Sequence, residues 1–515
     1  MSSTLTDRYD ETKKYVTEYR YDAYHNVIWQ KDYRGVITEY LRNGYGTVTK
    51  TYTYYDKTKR IVQESKLDAG GNYITEVYDE RGTDIASKFT YQNSTGLLLN
   101  STTPQSQQTD YAYNTSQDIT KMSATVGGKV NANDYVYKKG YPVRITHNGV
   151  NFDFTYNAKG LTEIKVAGTK TTNLYHEKLT DYLTTGRTCT VASYVVKSGA
   201  YTLRTVYDRN GQAIAVQEYQ SGDALSAHVT DTLDSAAWKK IVTNTYDDDG
   251  YLTQSVDELN RVTYRYEYDA YGDMKQCTYS TNGRNVTLSA SYGDKFHRLD
   301  KQVQKIDSVE RAYEYTYEDG PDARLKTVAL PTGYKTYPKY DNLGRSAGQI
   351  MRIKTGDLIF EETIAYLTGS ESTSPKYTRE TNYVASIKHY SRLGSVTETT
   401  GYGYDKNGNI ETVTLNGVQK KKYTYDGLNR LTKEVNTPFG TTTEYEYDAG
   451  GNITQKRVSG QAAIGYGYDA ANKDRLISYN GETIGEYDAQ GNPWKYRGKT
   501  LSWAKRGELT QFGSS

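Results

Sequence analysis

Few side chains in this 515-residue sequence stand at spacings that serve known reactions. Gly344-Arg345-Ser346-Ala347-Gly348 has the form of a nucleophile elbow, which needs a strand-to-helix turn to expose its serine and a histidine to activate it. Here Gly344 closes a turn, and Gln349-Ile350-Met351-Arg352-Ile353 continues as a strand, so no catalytic role is assigned to Ser346. Ser502-Trp503-Ala504-Lys505 fits S-x-x-K at two positions only. Asp247-Asp248-Asp249-Gly250 and Asp405-Lys406-Asn407-Gly408 bring carboxylates to a tight turn, as a hard cation requires. They lack the alternate ligand positions and the distal Glu of a calcium loop, and turn chemistry accounts for them. The six histidines, at 25, 147, 176, 228, 297 and 389, show no paired metal-ligand spacing. Cys189 and Cys277 form neither a disulfide framework nor a C-x-x-C motif. The expectation is a protein without catalytic residues, metal or cofactor, and the 62 carboxylates nominate no acid–base pair.

Composition points the same way. Lys plus Arg number 64 against 62 Asp plus Glu, which leaves no electrostatic footprint for nucleic acid. No apolar run approaches the length of a membrane span, and Met1-Ser2-Ser3-Thr4 opens no signal peptide. The 55 Tyr far outnumber the 7 Phe. Without Tyr, roughly a quarter of the chain is ordinary core-forming residues, too little for a thick interior. A sheet wet on at least one face suits such a chain, because a Tyr ring packs across strands while its hydroxyl reaches water or a partner group.

The elements behind these residues come from a repeat. Tyr-Asp dipeptides at Tyr404-Asp405, Tyr425-Asp426, Tyr447-Asp448, Tyr468-Asp469 and Tyr487-Asp488 are spaced by 21, 22, 21 and 19 residues. Earlier copies are Tyr21-Asp22, Tyr55-Asp56, Tyr78-Asp79, Tyr207-Asp208, Tyr246-Asp247, Tyr268-Asp269 and Tyr340-Asp341, with degenerate ones at Tyr113, Tyr137, Tyr156, Tyr292 and Tyr317. Before the dipeptide, aromatics alternate with period two, as in Tyr264, Tyr266 and Tyr268, which is the strand period. After it, the Asp carboxylate is expected to accept backbone N–H bonds two residues on, and a glycine to close the hairpin with positive φ. The turn glycines so identified are Gly82, Gly211, Gly250, Gly272, Gly344, Gly408, Gly451 and Gly491. Two strands and two turns take about 20 residues, which explains the period. The prediction is an all-β chain with one continuous domain over 1–515, interrupted by elongated loops near 93–110, 219–242 and 366–402, the second carrying a short helix over 231–238.

Tyr404-Asp405-Lys406-Asn407-Gly408-Asn409-Ile410 followed by Tyr425-Asp426-Gly427-Leu428-Asn429-Arg430-Leu431 resembles the Rhs/YD-repeat family, and Phe296-His297-Arg298-Leu299 is similar to the second, Asn-Arg-Leu form of its turn. The resemblance runs from about Asp22 to Phe512. It implies a sheet spiralling into a hollow or partly open shell, as in bacterial Rhs toxins, the encapsulating part of Tc toxins, and teneurins. The implied role is a scaffold enclosing a C-terminal toxin or other protein cargo, in a parent protein acting outside the cell or at its surface. After Leu501-Ser502-Trp503 the sequence ends at Ser515 without the family's terminal core motif or a toxin domain, so self-cleavage is not carried over and an open shell is expected. The alternative is an extracellular adhesion or glycan-binding module, since Tyr rings beside Asn, Asp and Thr suit sugars. Asn93, Asn100, Asn114, Asn285 and Asn452 fit glycosylation acceptors, which matter only in a eukaryotic source.

Overall fold

The computed structural model describes residues 2–6, 14–56, 58–167, 170–182, 188–198, 201–294, 296–370, 377–488, 491–503 and 508–513. Lys505 and the side chains of His176 and Cys189 lie outside the described residues. Among those described there is no α-helix, hence none long and apolar enough to cross a membrane. Strands joined by short turns make up most of the described chain.

The topology follows from the hairpins. Each strand pairs antiparallel with the next in sequence, from Ser2–Thr6 against Lys14–Tyr21 to Leu476–Tyr479 against Glu482–Thr483, giving a sheet of 40 strands. Gly485–Tyr487, Pro493–Tyr496, Lys499–Trp503 and Leu509–Phe512 continue the meander as a separate four-stranded sheet. Among the described residues, one pairing breaks the sequential order. The start of Thr378–Ser391 lies parallel to the start of Lys59–Leu67, with Thr378, Arg379 and Glu380 opposite Lys59, Arg60 and Ile61. The long ribbon therefore winds until a later stretch meets an earlier one. It is not closed end to end, since no ladder among the described residues joins its first strand to its last.

The interior is thin, as a Tyr-rich chain poor in Leu, Ile and Phe requires. Buried apolar side chains are scattered, and the largest cluster is small: Leu225, Val229, Ala237 and Trp238, with Tyr219 against it. That cluster belongs to the excursion between strands Ala213–Tyr219 and Trp238–Tyr246. Arg204, fully buried, holds it down. Its guanidinium donates to the Asp231 carbonyl at 2.7 Å, the Thr232 carbonyl at 3.0 Å and Gln217 Oε1 at 2.7 Å, and lies 4.3 Å from the Trp238 ring.

Three sequence expectations need correction here. Residues 93–110 are not an elongated loop: they contain strand Leu98–Thr102 and enter strand Gln108–Tyr113. Ser, Thr and Asn are acceptable on a strand with a wet face, and Thr favours it. Residues 366–402 are likewise mostly strand, within Leu358–Ser370, Thr378–Ser391 and Val396–Tyr404. The first two of these are long enough to hide the repeat's period. Within 219–242 only residues 220–237 leave the sheet, their helical turn is a single 3-10 turn at Leu225–Ala227, and no helix forms over 231–238. Asp231 is instead bonded to Ser235 Oγ at 2.6 Å and His228 Nδ1 at 2.8 Å, the side-chain bonding that competes with helix.

Candidate functional site

The repeated Tyr-Asp turn is the unit from which the sheet is built. Asp426 Oδ1 accepts from the backbone N–H of Leu428 at 2.9 Å and of Arg430 at 3.0 Å. Asp22, Asp208, Asp269 and Asp341 make the same pair of bonds to residues two and four further on. Asp247, Asp405, Asp448 and Asp488 cap the fourth residue, and Asp469 caps Ala471 and Asn472. Gly211, Gly250, Gly272, Gly344, Gly408, Gly451 and Gly491 all have φ between 80° and 100°. Gly272 is further constrained because an added Cβ would lie 2.3 Å from Tyr251 Oη. Gly82 departs from this scheme. It sits in a strand opposite Asp79, and Glu80-Arg81 alone make that turn.

The tyrosine does what composition did not foresee. The ladder shifts register at Tyr21, Tyr207, Tyr246, Tyr268, Tyr340, Tyr404, Tyr425, Tyr447, Tyr468 and Tyr487 alike. The shift at Tyr78 falls on its Asp79 side. Such a bulge disturbs the local hydrogen-bond ladder. The hydroxyl of the next repeat's tyrosine then donates to the carbonyl opposite the bulge: Tyr425 to Ile410 at 2.8 Å, Tyr447 to Leu431 at 2.7 Å, Tyr468 to Ile453 at 2.9 Å and Tyr268 to Leu252 at 3.0 Å. Phe has no hydroxyl for this bond. Burial raises these phenols above their ordinary pKa, so they remain donors at neutral pH.

In the Asn-Arg-Leu form of the turn, arginine adds a second tie. Arg430 Nε bonds Asp426 at 2.7 Å, its Nη1 reaches the Asp448 carbonyl at 3.2 Å, and its guanidinium lies 4.7 Å from the Tyr447 ring. Arg298 repeats this with Asp294, the carbonyls of Gly320 and Asp322, and Tyr317.

These turns then meet turns from far along the chain. Tyr15 Oη donates to Asp319 at 2.7 Å, Arg34 pairs with Asp322 at 2.9 Å, Arg81 Nη1 donates to the Asp405 carbonyl at 2.6 Å, and Asn148 Nδ2 donates to Asp448 Oδ2 at 3.2 Å. The bonds that cross in this way join residues 288 to 325 apart in sequence. A nearly constant offset is the mark of one winding laid on another, and the chain therefore holds more than one turn of the spiral and fewer than two.

The densest part of this seam surrounds Asp79. Tyr383 Oη donates to its carboxylate at 2.8 Å, while Arg81 holds the same group at 2.8 Å. Burial pulls that carboxyl upward, but the bonds from Arg81 and Tyr383 outweigh it and hold its pKa below the ordinary value. The Tyr383 hydroxyl is pushed up to about 12, first by burial and then by Asp79. Glu80 accepts from the backbone and side chain of Asn382 at 2.8 and 2.9 Å. Arg379, with no exposed surface, donates to the Glu80 carbonyl at 3.0 Å and the Asp79 carbonyl at 3.3 Å. Of this group, sequence reasoning singled out Asp79 only. Arg379, Asn382 and Tyr383 lie where the period is lost, so no repeat position marked them.

An open hollow of about 640 Å³ borders this region, lined by Lys50, Glu64, Asp79, Glu80 and Tyr383 among others. Four of its charged groups are already engaged: Lys50 pairs with Glu64 at 2.8 Å, and Asp79 and Glu80 serve the seam. Ser346 opens a strand, Ser346–Arg352, and presents no elbow.

Residues 425–462 match the RHS Repeat family. No curated protein sequence matches the chain. Among solved structures, TcdB2-TccC3-TEV aligns with a TM-score of 0.65 and 13% identity, over 99% of this chain and 29% of that one. The Photorhabdus luminescens Tc holotoxin pore aligns at 0.44 and 12% identity, again over 99% and 29%. The chain thus spans less than a third of the length of the structures it resembles, and the fold it shares is that of TcdB2-TccC3-TEV.

Proposed function

We propose that this Rhs/YD-repeat protein is a structural scaffold, a continuous domain over 1–515 that forms part of the wall of a hollow shell enclosing a protein cargo, such as a toxin domain of the same parent polypeptide. The observation that carries this reading is the seam. A sheet whose successive windings are bonded at a nearly constant sequence offset is held together as one wall, and a wall excludes other molecules by geometry instead of chemistry. The fold shared with TcdB2-TccC3-TEV supports the same reading, as does the engagement of turn carboxylates in structural bonds. Work outside the cell or at its surface fits such a role.

The test is protection. A small protease-sensitive protein tethered to the chain should be cut markedly more slowly than the same protein free in solution. Equal cutting rates would remove the enclosure reading.

A second reading, glycan-binding or adhesion, rests on Tyr24, Tyr45 and Tyr271, whose rings stand at turn tips and are 85%, 74% and 61% exposed. It requires selective binding on a glycan array that Tyr24→Ala and Tyr45→Ala abolish.

A further inference from the structure

One junction between consecutive turns differs chemically from its counterparts. In the ordinary turn, the residue four after Asp is often Asn, and its side chain donates to the Asp carboxylate: Asn26 to Asp22 at 3.1 Å, Asn409 to Asp405 at 3.0 Å, Asn452 to Asp448 at 3.0 Å and Asn492 to Asp488 at 3.1 Å. The following turn can join this arrangement. Asn429, third after Asp426 and at φ 62°, accepts from both Asn407 and Asn409 at 2.9 Å.

At Asp269 the corresponding positions hold a second carboxylate and an imidazole. The residue four after it is Asp273, which has no side-chain N–H to offer. The position of Asn429 is taken by His297, third after Asp294 and at φ 56°. His297 Nε2 lies 3.0 Å from Asp269 Oδ2 and 3.1 Å from Asp273 Oδ2. That nitrogen is out of contact with solvent, and both carboxylates lie within ion-pair distance of it. Asp269 Oδ1 is spent on the backbone N–H groups of Tyr271 and Asp273, which leaves Oδ2 as the atom turned towards the imidazole.

We propose that Asp269, Asp273 and His297 bind a divalent zinc-class metal ion that staples these two turns together. Their ligand atoms all lie within 4.8 Å of one another. Atoms about 3 Å apart fit neighbouring positions around an ion with bonds of about 2.0–2.2 Å. One imidazole nitrogen and two carboxylate oxygens suit Zn²⁺, whereas Ca²⁺ needs six to eight oxygens. The Tyr271 ring, with its centroid 4.2 Å from that of His297, and the Tyr292 ring at 5.4 Å fix the imidazole. Asp273 is half exposed, which gives an ion a way in and leaves room for water as a fourth ligand. An ion at this point takes the place between carboxylates that the Asn452 amide fills between Asp448 and Asp474.

The test uses the full chain, stripped with chelator and titrated with Zn²⁺ by calorimetry at neutral pH, with melting temperature read in parallel. One site that raises the melting temperature is expected. Asp273→Asn and His297→Asn install the amides the array itself uses at 409 and 429. Both should fold, as judged by circular dichroism, and each should lose at least tenfold in zinc affinity together with the thermal shift. Absence of zinc binding to the wild-type chain would overturn the proposal. So would unchanged zinc affinity in both variants, or a melting temperature that depends on His297 through pH alone and is indifferent to zinc.

Discussion

Tyr447 Oη donates to the carbonyl of Leu431, 2.7 Å away and one repeat earlier. Leu431 is the residue opposite the bulge at Tyr425. The Tyr-Asp dipeptide is therefore a joint with two ends: Asp closes its own turn, and Tyr satisfies the carbonyl that the previous turn disturbed.

Tyr447→Phe keeps the ring and removes the bond. Leaving a half-buried carbonyl without a donor should cost about 1 kcal/mol, read as faster hydrogen exchange in strands Leu431–Asn436 and Thr441–Tyr447. Tyr24→Phe, at a ring 85% exposed, should change nothing measurable. Equal effects from the two would contradict the joint.

Acid should open the seam. The Asp79 carboxyl is depressed in the folded chain, because the bonds from Arg81 and Tyr383 outweigh burial. A depressed carboxyl contributes stability above its unfolded pKa, about 3.9, and that contribution is lost as pH falls through the folded value. Exchange protection of residues 378–383 should accordingly drop below about pH 4. Asp79→Asn should weaken the seam at neutral pH and flatten this pH dependence.

Arg379→Leu removes donors to the Glu80 and Asp79 carbonyls from a side chain with no exposed surface. Each carbonyl left bare costs on the order of 1–3 kcal/mol. Exchange should accelerate at residues 59–64 and 378–383 together and stay unchanged around Tyr447. Acceleration at only one of the two segments would mean that they do not form one contact.

Arg204→Ala should release the excursion between Tyr219 and Trp238, because Arg204 supplies its bonds to the Asp231 and Thr232 carbonyls. New proteolytic cuts confined to 220–237 are expected, with strand content by circular dichroism retained.

The repeat, its strand period and its turn residues are legible in the sequence because each is a local property. Asp and Gly three residues apart settle a hairpin whatever surrounds it. The winding is expected only through the family resemblance, and which residues it brings together is not legible, since bonds across some 300 residues leave no periodic trace in one chain. Arg379 and Tyr383 fall in a stretch whose long strands mask the period, and Ser, Thr and Asn at 93–110 resemble a loop until a neighbouring strand pairs with them. His297 was visible as a residue, but its junction with Asp269 and Asp273 depends on which turns become neighbours.

The most direct test of the enclosing wall is to combine the seam with protection. A protease-sensitive protein tethered to the chain should be protected in the wild type, and protection should fall sharply in Arg379→Leu and Tyr383→Phe while the strands remain folded. Protection equal in wild type and both seam variants, or absent from the wild type, would contradict a wall held together by its windings.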